Sequence, residues 1–475
     1  MQASWNPYEV HSFWGREMQL GRRDFVKQAF LFSEALMLGC ARHIPSSPPI
    51  PLPIYPDLPN PGSSGIEHVV VVTMENRSFD HLFGWMTNAE GKQGGLAYTD
   101  KAGKSHPTYS LSHDFTGCPH PDPDHSYNGS RVAYNNGKMD GFLRTGSNDV
   151  YSIGYYEERD IPFYAALGRN YTVCDHYFAS ILGPTFANRM FLLAAQTDRL
   201  TDSIALSSLP TIFDRLMAAK ISHNYYFSNV PYLALWALKY VGISKLHEDF
   251  LEQASKGTLP AVSYVDPSFT VLDDGTGNDD HPHADIRKGD LFLHDMFEVL
   301  AKGPSWSSTV LVFIFDEWGG FFEHVPPPRA NAANAVDADI VDGKTLLGFR
   351  VPVVIASPFS RGDPQNPRIS SLVFDHTSVL KFIEWRWGLP PLTPRDGGSD
   401  VQNLAYALDF QHPQSSVPNL PRPEAPAIGA PCLQNLAGVF SPEEARSGAG
   451  PSSSAKTAKW NDLRSQASKY GFKLK

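Results

Sequence analysis

Two stretches of this 475-residue chain constrain its fold more than any other feature: residues 66–73, Ile-Glu-His-Val-Val-Val-Val-Thr, and Thr309–Phe315, Thr-Val-Leu-Val-Phe-Ile-Phe. Each is short, nearly continuous in apolar residues and rich in β-branched ones, the pattern of a strand buried on both faces. Related runs occur at 225–227, 261–265 and 349–356, with helical patterns between them at 161–167, 185–195, 211–220, 290–301 and 377–387. Buried strands alternating with helices predict an α/β sandwich around a mostly parallel sheet. Hydrophobic residues make up 42% of the chain and charged residues 19%, enough apolar material for a large core and too little charge for a disordered chain.

The ends of the chain read differently from its middle. Arg22-Arg23, followed by a moderately apolar stretch ending Leu36-Met37-Leu38-Gly39-Cys40, makes residues 1–44 resemble a twin-arginine export signal with a lipobox-like end. An ordinary amphipathic helix is the alternative. Export would place the protein in the periplasm, outside the cell or on a lipid anchor; without a signal it would be cytoplasmic. Residues 45–64 contain eight prolines and read as a linker, 65–410 as one large catalytic domain, and 411–475 as a Pro/Ser-rich extension expected to wrap the surface or stay flexible. No later run approaches the roughly 20 apolar residues that span a bilayer. The four cysteines, Cys40, Cys118, Cys174 and Cys432, show no C-x-x-C spacing, and Cys118 with Cys174 are either bridged or free thiols.

A formal net charge of −10 excludes a sequence-independent nucleic-acid binder, which needs a basic surface to displace condensed counterions. An anionic substrate would depend on local positive charge, such as a metal ion. The chemistry-bearing residues follow the two long runs, at the edge where open α/β sheets bind ligands. Residues 66–73 lead into Glu75-Asn76, and Thr309–Phe315 leads into Asp316-Glu317. Acids gathered at strand ends repel each other unless something positive neutralises them. A hard divalent cation with oxygen ligands does so; the alternative is that each pair caps a helix, where acids suit the dipole. Histidines form a second group: His125 in Asp122-Pro123-Asp124-His125, His281 and His283 in Asp279-Asp280-His281-Pro282-His283, and His324 after Glu323. They sit in loop-forming sequence, and a histidine can hold a phosphoryl oxygen or protonate a leaving alkoxide. Thr185, in Gly183-Pro184-Thr185-Phe186-Ala187-Asn188-Arg189, is the candidate nucleophile. A stiff turn followed by helical spacing places its hydroxyl at a helix start, where it is either a plain cap or an activated group at an anion-binding position.

Glu75-Asn76-Arg77-Ser78-Phe79-Asp80-His81-Leu82-Phe83-Gly84 resembles the signature of bacterial phospholipases C and related acid phosphatases. The resemblance continues in chain order through Asn136-Gly137-Lys138-Met139-Asp140-Gly141-Phe142, Gly183-Pro184-Thr185, Asp279-Asp280-His281-Pro282 and Asp316-Glu317-Trp318-Gly319-Gly320, and covers roughly residues 66 to 390. It implies an alkaline-phosphatase-like α/β/α fold with a divalent metal ion at the carboxyl edge of the sheet. Glu75, Asn76, Asp316 and Glu317 would be metal ligands, with Thr185 both ligand and nucleophile. His125, His281 and His324 would bind phosphoryl oxygens or assist the leaving group. Ala187, Trp318 and Glu323 depart from the family's usual Pro, His and Asp, which puts in doubt any supporting role at 318 and 323. The activity implied is metal-dependent phosphoric ester hydrolysis, foremost by a phospholipase C cleaving phosphatidylcholine-type diesters through a phosphothreonyl intermediate. Its partners would be a phospholipid or small phosphoester and a membrane surface, with no nucleic acid. An acid phosphatase acting on monoesters and a non-catalytic exported binding protein are the alternatives; a sulfatase would need a Cys/Ser-x-Pro-x-Arg motif that is missing around Thr185.

Overall fold

The computed structural model describes residues 57–272, 277–337, 339–426 and 453–474, all within a unit running from Pro56 to Lys475. The central sheet has eight strands: β1 (His68–Met74), β2 (Thr172–Cys174), β3 (His223–Phe227), β4 (Ser244–Leu246), β5 (Val262–Val265), β6 (Thr309–Phe315), β7 (Val353–Ala356) and β8 (Ile369–Ser370). Across the sheet they run β8-β2-β7-β6-β1-β5-β3-β4. Both antiparallel pairings involve β7, so it alone runs against the other strands.

Every residue of β6 is buried, and all of β1 except His68. Successive side chains of a strand point to opposite faces, so both faces of the sheet are covered. Two sets of helices do the covering. Pro162–Asn170, His247–Lys256 and Ile286–Ala301 pack together, as do Thr185–Ala194, Ile212–Ala218 and His376–Trp387. The α/β architecture expected from the buried runs is the one that forms.

Differences from the sequence reading have local causes. The run 349–356 becomes a strand only from Val353: Pro352 has no N–H to give to a ladder, and Arg350 is turned into buried ion pairs with Asp80 and Glu323. Strands β2, β4 and β8 are two or three residues long and too short to show a period. The extension expected to wrap or stay flexible contains an 18-residue helix, Ser453–Tyr470, that buries Trp460, Leu463 and Ala467. Those positions are three and four residues apart, one face of a helix. Cys118 is disulfide-bonded but not to Cys174, which is free and buried. Arg22-Arg23 and Cys40 lie outside the described residues. Among the described residues no helix is long and apolar enough to cross a membrane.

Candidate active site

Strands β1 and β6 pair in parallel with Met74 opposite Phe315, so Glu75 and Asp316 leave the sheet side by side at its carboxyl edge. The chain then turns sharply. Asn76 has φ 61°, in the left-handed region that asparagine tolerates, and its N–H donates to Asp316 Oδ1 at 3.0 Å. The Glu317 N–H donates to the same oxygen at 2.7 Å. Neither acid therefore caps a helix. Thr185 is the first residue of helix Thr185–Ala194, whose N-cap position is Pro184. Its hydroxyl turns away from the helix, 3.2 Å from Glu75 Oε2 and 3.3 Å from Asn76 Oδ1. Two strand ends and a helix start thus bring Glu75, Asn76, Thr185, Asp316 and Glu317 into one buried cluster.

Three further residues belong to this cluster. Arg189 lies one helical turn after Thr185 and reaches Glu75 at 2.9 Å, Asp266 at 2.8 Å and Asp316 at 3.3 Å. The i, i+4 spacing was the sequence signal for it. Asp266 directly follows β5, the neighbour of β1, just as Glu75 follows β1. The same strand-end rule that selected Glu75 and Asp316 would have selected it. His376 Nε2 donates to the Asp316 carbonyl at 2.6 Å. Burial holds its pKa down to about 4, so the imidazole is neutral and its tautomer is fixed by that bond. No local pattern marked it, because the contact joins residues from opposite ends of separate elements.

The electrostatics favour a bound cation. Burial, with repulsion from Asp316 adding to it, pushes the Glu75 carboxyl well above the usual carboxylate range, and burial also raises Asp316. Burial works against the charge on Arg189, yet Asp266, Glu75 and Asp316 together raise its pKa well above the ordinary value. One guanidinium faces Glu75, Asp316 and Asp266, with Glu317 also buried beside them, so negative charge is in excess. The donors are carboxylate, amide and hydroxyl oxygens, which suits a hard divalent ion. Glu75, Asn76, Asp316, Glu317 and Thr185 would hold it. Among the described residues, two groups elsewhere have ligand atoms spaced for a metal ion: Asp80, Glu323 and His324, where Arg350 already bonds both carboxylates at 3.3 and 2.7 Å, and His294, Asp295 and Glu298, where Arg422 pairs with the two carboxylates at 2.8 and 3.7 Å.

The candidate histidines separate. His125 donates from Nδ1 to the Pro123 carbonyl at 2.9 Å and points Nε2 at Glu317, 3.9 Å from Oε1. The His281 ring lies 5.8 Å from that of His125, with its Nδ1 donating to the Pro282 carbonyl. Both are buried beside the acidic cluster. His324 is placed elsewhere: its Nδ1 is 2.5 Å from Asp80 Oδ2, and among the described residues no hydrogen bond or ion pair joins it to Glu75, Asn76, Thr185, Asp316 or Glu317. Partial burial works against its proton, but the bond to Asp80 raises its pKa overall. His283 donates from Nε2 to the His120 carbonyl in a neighbouring loop, at 2.9 Å, rather than bonding within the cluster. Arg77 fastens the loop that carries His281, bonding the Asp280 carbonyl at 2.8 and 2.6 Å, and Ser78 Oγ donates to the Phe322 carbonyl at 2.6 Å. At the two departing positions, Trp318 packs on Phe142 and Phe349, and Glu323 pairs with Arg350.

The Phosphoesterase family pattern matches residues 66–390. Non-specific phospholipase C6 of Arabidopsis thaliana is 31% identical over 407 residues, covering 76% of this chain and 74% of that protein. Phospholipase C B of Mycobacterium tuberculosis (strain ATCC 25618 / H37Rv) is 30% identical over 443 residues, covering 78% and 83%. Among solved structures, the lipoteichoic acid synthase LtaP from Listeria monocytogenes aligns with a TM-score of 0.40 at 9% identity, over 74% of this chain and 79% of that one. With most of its length matched and the strand-end acids in their motifs, the chain belongs to the Phosphoesterase family and is a hydrolase acting on phosphoester bonds.

Proposed function

We propose that this hydrolase is a metal-dependent phospholipase C that cleaves phosphatidylcholine-type phosphodiesters with Thr185 as nucleophile. The observation that carries the reading is the Thr185 hydroxyl, turned from its own helix to Glu75 and Asn76 at 3.2 and 3.3 Å. A hydroxyl kept only as a cap would bond a helix amide. The relatives named phospholipase C support the diester substrate.

A divalent ion held by Glu75, Asn76, Asp316, Glu317 and Thr185 would supply Lewis-acid lowering of the hydroxyl pKa and offset the excess negative charge. In the first step the Thr185 proton passes to Glu75 Oε2, its nearest acceptor, and Oγ1 forms a bond to phosphorus. The bond to the diacylglycerol oxygen breaks in line, and that oxygen takes a proton from His125 or His281. Water then attacks the phosphothreonyl group and gives a proton to that histidine; the Thr185–phosphorus bond breaks, Oγ1 takes its proton back from Glu75, and the headgroup phosphate leaves. Arg189 keeps Glu75 and Asp316 in place throughout, and its positive charge offsets theirs.

Turnover of p-nitrophenylphosphorylcholine, bis-p-nitrophenyl phosphate and p-nitrophenyl phosphate by metal-supplemented and chelator-treated protein tests this. Hydrolysis of the monoester alone would remove the phospholipase reading. Thr185→Ala should lower kcat by at least about a thousandfold while Thr185→Ser keeps activity and acid quenching traps phosphate on residue 185. Full activity in Thr185→Ala would exclude it as nucleophile. We also propose export through the twin-arginine-like segment; the disulfide at Cys118 supports an oxidising compartment. Retention in the cytoplasm after Arg22→Lys and Arg23→Lys exchange is the expected result, and unchanged export would refute it.

A further inference from the structure

Beside the acidic cluster lies a cavity of about 120 Å³ whose wall includes His125, Pro184, Asp122, Asp202 and, from the far end of the chain, Lys459. His125 faces Glu317, and Pro184 immediately precedes Thr185, so the cavity adjoins the reacting groups. Lys459 lies in helix Ser453–Tyr470, outside the residues 66–390 that match the family, and the shared motifs say nothing about it. Among the described residues its ammonium takes part in no ion pair.

The helix is fastened where it can hold that ammonium in place. Trp460 packs edge-on to Phe186, the residue after Thr185, with ring centroids 5.0 Å apart, and lies 4.4 Å from Phe269. Phe269 in turn lies under the Arg189 guanidinium at 4.9 Å. Asp202, on the same cavity wall, accepts the Phe186 N–H at 3.0 Å. The helix thus grips the backbone beside the nucleophile and the residue supporting Arg189.

We infer that Lys459 is a specificity-determining residue that reads the charge of the group carried on the substrate phosphorus. The inference rests on the phosphoesterase reading of the adjoining cluster. A monoester dianion places extra negative charge in the cavity, which an ammonium attracts, whereas a choline headgroup brings a cation that the ammonium repels and Asp122 and Asp202 attract. Lys459 therefore favours anionic phosphate and limits the preference for cationic headgroups that the two aspartates create.

The test uses the full chain with divalent metal present and the variants Lys459→Glu, Lys459→Gln and Lys459→Arg. Lys459→Glu should raise the kcat/KM ratio of p-nitrophenylphosphorylcholine to p-nitrophenyl phosphate by about tenfold or more, mainly through KM; Lys459→Gln should give an intermediate ratio and Lys459→Arg the wild-type one. In parallel, the rise in Tm produced by inorganic phosphate should shrink in Lys459→Glu. Unchanged ratios together with an unchanged phosphate response in the folded variants overturn the inference. If the wild type turns over neither substrate, the phospholipase reading fails, and the phosphate response alone decides the role of Lys459.

Discussion

At Gly319 the backbone has φ 62°, and a Cβ placed there would sit 2.0 Å from the Asn76 carbonyl oxygen. Alanine can neither adopt that φ cheaply nor avoid the clash, so Gly319→Ala should cost about 2–4 kcal/mol and displace the turn that holds Asn76. Chemical denaturation and turnover measure the two effects; a variant of wild-type stability and activity would refute the account. Arg189→Met leaves Glu75, Asp266 and Asp316 without their buried partner and should destabilise by about 3–5 kcal/mol. The strand-end acids were legible because the apolar runs before them are local and continuous. Arg189 and Asp266 satisfied local rules as well, but their importance depends on which strands become neighbours, and spacing along the chain does not carry that. His324 shows the converse: its loop looked like those of His125 and His281, yet Asp80, buried 244 residues away in sequence, takes its imidazole.

The helix His376–Trp387 carries a buried acid that sets a pH limit. Burial first, then Asp396, holds the Glu384 carboxyl up to about 9. In the unfolded chain it ionises near its ordinary value of 4.5, so between those values the folded state binds the proton and the unfolded state does not. Stability from this group is present below the unfolded pKa and is lost as pH rises through the folded one. Glu384→Gln cannot ionise and should gain on the order of 5 kcal/mol over the wild type at pH 9 relative to pH 5. Parallel stability profiles for the two proteins would contradict the assignment. At this scale the long elements were readable from their periods, and the short strands β2, β4 and β8 were not. The C-terminal helix was obscured by the Ser/Ala/Gly-rich sequence before it, although Trp460, Leu463 and Ala467 already had the spacing of a buried face.

For the molecule as a whole, the excess of buried negative charge would make stability depend on an ion held at the proposed site. Chelation should lower Tm by about 5 °C, and a divalent cation should restore it, since a ligand that binds only the folded state stabilises it. An unchanged Tm and unchanged turnover after chelation would remove the metal. The α/β class was legible because fully buried strands leave a recognisable composition, whereas the order β8-β2-β7-β6-β1-β5-β3-β4 and the reversal of β7 are products of chain crossings that no window of sequence contains. The pairing of β1 with β6 has a further consequence. Asn76 and Asp316 are 240 residues apart, and they meet only when those two strands lie side by side. Everything from β1 through Asp316 must therefore be synthesised before the halves of the candidate site can touch, and every shorter nascent chain would be chemically silent toward the phosphoesters around it.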